Sequence, residues 1–417
     1  MNRFIPANTR LALAPALAFT LALGCSGAGV TSADSGVAPG HPGAPTSVTP
    51  GTPGTPTTPD PGTTTRAAHP GLCAPPTAFS YALCTCEDLT QVGWLKVGAG
   101  ASGDGSVGVN GFSSVANDSE ISGSWVSWRQ WTAGTGAHIG GSLRSGADLL
   151  VAGAVWVGKD LAVKQNLTGA GFLNVGGALR VGGNDVFLGF SQIAGGKAAF
   201  DAPTQPPCGC DPASLFDVVG AVNQARTLND NAARGVPAGA QLDIGVQRLA
   251  LDTGRYFFQG VHNIGAGVLD IRGNVSIYID GSLDEIGAEA IKIETGASLD
   301  LYVSGAVRLV GFSPLGDRQS PSSFRLFVGG SDRLSIGAGL QEFFGSIYAP
   351  TADLAFAGVT VIWGSLFAKQ VIDLGVLAIN HGGAVATCTP PAVTTDGGVP
   401  TPPPPNVPPT PPPPIVP

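Results

Sequence analysis

The chain has 417 residues, of which 43% are apolar and 12% charged, with a formal net charge of −8. That balance argues against nucleic acid as a partner, because phosphate backbones recruit basic surfaces. Setting aside two proline tracts leaves about 315 residues from Cys73 to Cys388, room for one large domain or two ordinary ones.

Residues 1–24 read as an export signal. Arg3 and Arg10 supply the positive start, and Leu11 to Leu23 is an apolar run of 13 residues. A bilayer span needs about 20, so the run fits a cleaved leader instead. It ends in Leu21-Ala22-Leu23-Gly24-Cys25, which resembles the lipobox of bacterial lipoproteins. The resemblance implies a diacylglycerol thioether on Cys25, a membrane partner through that anchor, and export to the outer membrane or cell surface. Ser26 rather than Asp after the cysteine leans toward the outer membrane. Residues 25–72 are then a lipidated cysteine and a tether of Gly, Pro, Ser and Thr, too poor in apolar groups to fold. Its ends are expected roughly 40 Å apart.

Residues 73–210 carry a six-residue period. Leu143, Leu149, Val155, Leu161, Leu167, Leu173 and Leu179 are aliphatic, and Val151, Val157, Val163, Val175 and Val181 follow two residues behind. Two inward residues one apart make a short strand, and the following glycines turn a corner. Three such sides predict one coil of a triangular solenoid. Upstream, Trp125, Trp128 and Trp131 are expected to close off an exposed core end, with a grip on a glycan as the other possibility.

Residues 211–240 hold one amphipathic helix and a connector. Asp211 is the predicted cap, Pro212 suits the first turn, and Leu215, Val218, Val219 and Val222 form an apolar face. Residues 241–388 repeat at a longer period, as in Val275-Ser276-Ile277-Tyr278-Ile279, Leu299-Asp300-Leu301-Tyr302-Val303 and Phe324-Arg325-Leu326-Phe327-Val328. Strand alternation turns Tyr278, Tyr302, Phe327, Tyr348 and Phe367 outward as a ladder. Its expected partner is the helix, with a glycan or a second copy as the other possibilities. Residues 389–417 form a proline-rich tail expected to be disordered and to populate polyproline II. The predicted fold is therefore all-β, a parallel β-helix or β-solenoid with the right-handed sense favoured, one inserted helix, and disordered termini.

Six cysteines follow Cys25, and an even count in an exported chain points to disulfides. Neighbours two apart on an extended strand rarely bond each other. The predicted pairing sets Cys84 and Cys86 against Cys208 and Cys210, and Cys73 against Cys388. A four-thiolate zinc site from the two Cys-x-Cys pairs is the rival; the oxidising compartment favours disulfides, so no metal or other cofactor is expected.

Gly345-Ser346-Ile347-Tyr348-Ala349-Pro350, Gly364-Ser365-Leu366-Phe367-Ala368-Lys369 and Ile379-Asn380-His381 resemble a β-helical domain of unknown function. That domain occurs in bacterial surface lipoproteins and pilus-assembly-like proteins, and the likeness spans about residues 241–386. The hexads bear a fainter resemblance to bactofilin-type polymer-forming solenoids. Both imply fold and location rather than a reaction.

No catalytic residue emerges from the sequence. The hexad run has no histidine to act as a base, His138 lying just outside it, and no Gly-His-Gly or paired aspartates of pectinase-like hydrolases occur. Asp280, Asp300 and Asp353 are expected to be solvated outward residues, and His381 a loop residue. The expected function is a non-enzymatic surface scaffold or adhesin contacting envelope or matrix glycans, or copies of itself. A polysaccharide lyase or hydrolase on the same fold is the alternative.

Overall fold

The computed structural model describes residues 79–99, 105–201, 205–242, 248–261, 267–284, 291–309, 315–336 and 340–381. Cys25, Cys73, Cys388, the leader, the tether and the tail lie outside them. The described residues form a right-handed parallel β-solenoid. In the hexad block most sides of a coil are strands of three or four residues, such as Leu143–Ser145 or Ala154–Val157. Leu143 pairs with Leu161 and Leu161 with Leu179, so three hexads close one coil. The aliphatic columns fall inside, with Leu143, Leu149, Val155, Leu161, Leu167 and Leu173 fully buried.

Corners are held by side chains that replace lost backbone partners. Asn166 N donates to Asp148 Oδ1 at 2.9 Å, Asn184 N to Asn166 Oδ1 at 2.9 Å, and Ala178 N to Asp160 Oδ1 at 2.8 Å. A second run of the same kind passes from Ser106 to Ser124 to Ser142. Each polar residue just before an inward aliphatic thus caps the coil above it. The Ala178 amide and then Arg180 hold the Asp160 carboxyl below its ordinary range.

The two repeat blocks form one stack, in an order that reverses the chain. Leu83–Thr85 pairs with the strand Leu366–Asp373 on one side and with Val107–Val109 on the other. Trp94–Ala99 likewise pairs with Val376–His381. The last coil of the C-terminal block therefore seats the first coil of the N-terminal block, and one core runs through both.

The hexads also begin earlier than the aliphatic run. Inward positions continue back through Ala137, Trp131, Trp125, Ser119, Ser113 and Val107 to Leu95, Leu89 and Leu83. Trp125 and Trp131 do not cap an end; both are fully buried mid-stack, edge to face at 5.8 Å. The small Ser113 and Ser119 of the coil below make room for them, and Trp125 Nε1 lies 3.3 Å from Ser113 Oγ. Trp128 stays half-buried on the outside, with Lys164 Nζ 5.7 Å from its ring. Near the join the core holds Gln91 and Asp373 in register, both fully buried. Burial pushes the Asp373 carboxyl up to about 6.

In the C-terminal block Val275, Ile277 and Ile279 face inward. Tyr278, Tyr302, Phe327, Tyr348 and Phe367 form the outward column, with consecutive centroids 4.7, 4.6, 6.0 and 5.1 Å apart. The column is not open to solvent. Helix α1, Val218–Ala225, lays Val218, Ala221, Val222 and Ala225 on it, and Phe216 N donates to Tyr348 Oη at 2.9 Å. The helix starts later than the sequence suggests. Its cap is Asp217, whose Oδ1 accepts from Gly220 N at 2.8 Å, while Asp211 instead caps a preceding turn. Val219 faces outward, 39% exposed, where an inward position was expected.

Cys84 is bonded to Cys208 and Cys86 to Cys210, so these thiols form disulfides rather than a zinc site. Cys84 lies in register with Phe367, so the first disulfide continues the ring column. Gly108 is the next residue of that column. A Cβ there would lie 3.1 Å from Cys208 Sγ and 3.2 Å from Cys84 Sγ. The segment returning from the end of the hexad block is thereby pinned at the join, just before it becomes the helix.

The stack ends differently at its two extremities. On the C-terminal block Val236 and Ala240 pack against the core. On the hexad block the positions equivalent to Leu167, Leu173 and Leu179 are Asp185, Ser191 and Lys197. Lys197 Nζ and Asp185 Oδ2 form an ion pair at 2.6 Å in this terminal coil.

Candidate groove on the ten-stranded sheet

One face of the solenoid is a ten-stranded sheet, and its outward residues in the hexad block differ from those of the other faces. Two outward columns run side by side. One contains Lys96, Glu120, His138, Trp156, Asn174 and Gln192. The other contains Gly136, Ala154, Phe172 and Phe190, with Trp94 and Asp118 in the equivalent place on the two preceding coils.

The second column occupies the corner position that carries the capping ladder elsewhere. Here Gly, Ala and Phe stand where Asp, Asn or Ser hold the next amide at the other corners. At this corner the backbone itself bonds the coils, Phe172 N donating to Gly153 O at 3.1 Å and Phe190 N to Gly171 O at 3.0 Å, so the side chains of this column carry no capping duty. Asp118, the one ladder-type side chain at this corner, accepts from Thr135 Oγ1 at 3.3 Å. A Cβ at Gly136 would sit 2.4 Å from Asp118 Oδ1, so the carboxylate keeps its place because residue 136 is glycine.

The small residues Gly136 and Ala154 floor an open groove of about 570 Å³. Trp94 and Trp156 wall it, and Asp118, Glu120, Thr135 and His138 supply polar groups. The His138 imidazole stacks on Trp156 at 4.0 Å and 9°. Aromatic surface continues through Phe172, 5.6 Å from Trp156, to Phe190, 5.5 Å beyond. Lys96 Nζ bonds Glu120 Oε2 at 2.9 Å and lies 5.7 Å from the Trp94 ring centre. From Trp94 to Ala154 the groove crosses three coil steps, roughly 14 Å.

Chemically this is an aromatic platform with hydrogen-bonding groups along its edge. Such surfaces suit ligands that present an apolar face and a polar rim. A Trp156 or Trp94 ring stays accessible; Trp94 is 39% exposed and Phe190 63%. The aspartates noticed in the sequence lie elsewhere and are paired. Asp280 meets Arg226 at 2.5 Å, Asp353 meets Lys369 at 3.3 Å, and Asp300 grips Arg325 through two bonds of 2.6 Å. Asp300 is 13% exposed in its side chain, so it is a packing group and not the solvated residue expected. His381 ends a strand at 7% exposure, which corrects its expected place in a loop. The ladder rings are 0–1% exposed and so are closed to a ligand.

Residues 211–384 match a family described as a domain of unknown function (DUF7305). The match covers helix α1 and the C-terminal block, and the groove's hexad residues fall outside it. No curated protein and no solved structure matches the chain.

Proposed function

We propose that this chain is a lipid-anchored, exported surface protein that binds glycans through the groove between Trp94 and Trp156, without catalysing a reaction on them. One observation carries the reading: a run of accessible aromatic rings lies along the sheet, on a corner column whose side chains take no part in bonding the coils. Pyranose rings stack on such faces through their C–H surface while their hydroxyls reach Asp118, Thr135 and Glu120. A solenoid stiffened by two disulfides and a glycine- and proline-rich tether suits a scaffold or adhesin. Retention of the full chain on a panel of immobilised polysaccharides is the test. Trp156→Ala is expected to weaken retention at least about fivefold, the worth of one aromatic contact. A variant that binds every retained glycan as the parent does would refute the groove.

A second reading has its own support. Lys96, Asp118, Glu120 and His138 converge on the same groove from three adjacent coils, and paired carboxylates beside a bound sugar are the apparatus of glycosidic cleavage. Cleavage products that disappear in Asp118→Asn would establish a polysaccharide lyase or hydrolase instead. The anchor is checked separately. Cys25→Ser should move the protein from the detergent phase to the aqueous phase, and identical partitioning of the two forms would remove the lipid anchor from the proposal.

A further inference from the structure

We infer that the groove selects glycans carrying protonated amino groups, with Asp118 as the counter-ion beside the Trp94 and Trp156 rings. The inference rests on the glycan-binding reading and specifies its ligand class. Three charged side chains determine the sign of the groove. Lys96 and Glu120 neutralise each other through their 2.9 Å ion pair. Asp118 has no cationic partner among the described residues; its contact is the Thr135 hydroxyl at 3.3 Å. The groove therefore keeps one uncompensated negative charge, on a chain whose formal net charge is −8.

The position of that charge is built. At the other corners Asp148 and Asp160 spend a carboxylate oxygen on a backbone N–H of the next coil. Asp118 is relieved of that duty, and the missing Cβ of Gly136 leaves its carboxylate space. The aromatic walls favour the same sign. Trp94 already holds the Lys96 ammonium 5.7 Å from its ring centre, and an indole face attracts a cation through its quadrupole. An ammonium on a sugar ring seated against Trp94 or Trp156 meets an aromatic face and a carboxylate together. A uronate or sulfate in the same place meets Asp118 as a like charge and is repelled.

The probes are two chito-oligosaccharides of equal length, one fully N-acetylated and one deacetylated, with a polyuronate as the third. Each is titrated calorimetrically into the full chain in detergent, at mildly acidic pH where the glucosamine amine is protonated. The deacetylated probe is expected to bind about tenfold more tightly than the acetylated one, the worth of one charge-assisted hydrogen bond. That preference should shrink as salt is raised, and Asp118→Asn should bring the two probes within about twofold of each other. Equal binding by the parent chain, a preference that survives Asp118→Asn, or tighter binding of the polyuronate would overturn the inference. If the parent does not discriminate but Trp156→Ala loses both probes, glycan binding stands and charge selection falls. If no probe binds, both fall together.

Discussion

Replacing Tyr302 with Ser is expected to destabilise the folded chain by about 3–5 kcal/mol, the range for removing a large buried aromatic ring. Tyr302 sits at the middle of the outward column, fully buried, with Tyr278 and Phe327 stacked 4.7 and 4.6 Å away. Phe216 closes over it at 6.0 Å, and burial raises its phenol well above the ordinary value. The substitution opens a void between the sheet and helix α1, and neighbouring coils cannot collapse into it because their spacing is set by the strand ladder. Denaturant unfolding of the parent and variant measures the loss. Phe190→Ser is the matched control: that ring is 63% exposed, so its loss should stay within about 0.5 kcal/mol. Equal effects for both would mean that the helix does not hold the column under native conditions.

A second large effect is expected at the end of the hexad block. Asp185 and Lys197 stand where the two preceding coils have leucines, Leu167 and Leu149 in one column and Leu179 and Leu161 in the other, and no further coil pairs with their strands among the described residues. Inward charges of this kind oppose edge-to-edge addition. Asp185→Leu together with Lys197→Leu restores the hexad and turns the end into an apolar, pairing-competent coil. Each leucine contributes about 1.5–3 kcal/mol when another end covers it, which favours a two-fold, end-to-end dimer. Light scattering across a concentration series should show dimers for the double variant at concentrations where the parent shows none. A parent that already assembles through this end, or a variant that stays at the parent's mass, would refute the blocking role. The blocking role also bears on the fainter bactofilin-type resemblance, since a polymer needs two ends that accept a neighbour.

The groove was only partly legible in the sequence. His138 could be noticed as lying beside the hexads, but its partners were scattered among single residues at 94, 118, 120, 136, 154 and 156. A signal was nonetheless present. Once coils of eighteen residues are counted from Val107, the corner position reads Asp118, Gly136, Ala154, Phe172, Phe190, against Asp and Asn at another corner. The upstream coils concealed that count because Ser113, Ser119, Trp125 and Trp131 stand at inward positions. A hydrophobic period breaks when a core balances large rings against small hydroxyls, although the volume inside the coil is conserved.

What the sequence determined by itself is whatever repeats within one coil. The six-residue period specifies three short sides, and alternation decides that Val275, Ile277 and Ile279 face inward while Tyr278 faces out. Both follow from the local geometry of a strand. The helix face was legible for the same reason, apart from Val219, which points outward, and the start, where Asp217 rather than Asp211 is the cap. The order of the coils was decided only by the tertiary structure. Every coil edge presents the same row of N–H and C=O groups, so backbone pairing alone does not choose which coil follows which. The choice that sets residues 366–381 against residues 83–99 comes from side chains far apart in the chain: the ring column that Cys84 extends, the disulfide from Cys84 to Cys208, and the helix that needs the whole column to cover its apolar face.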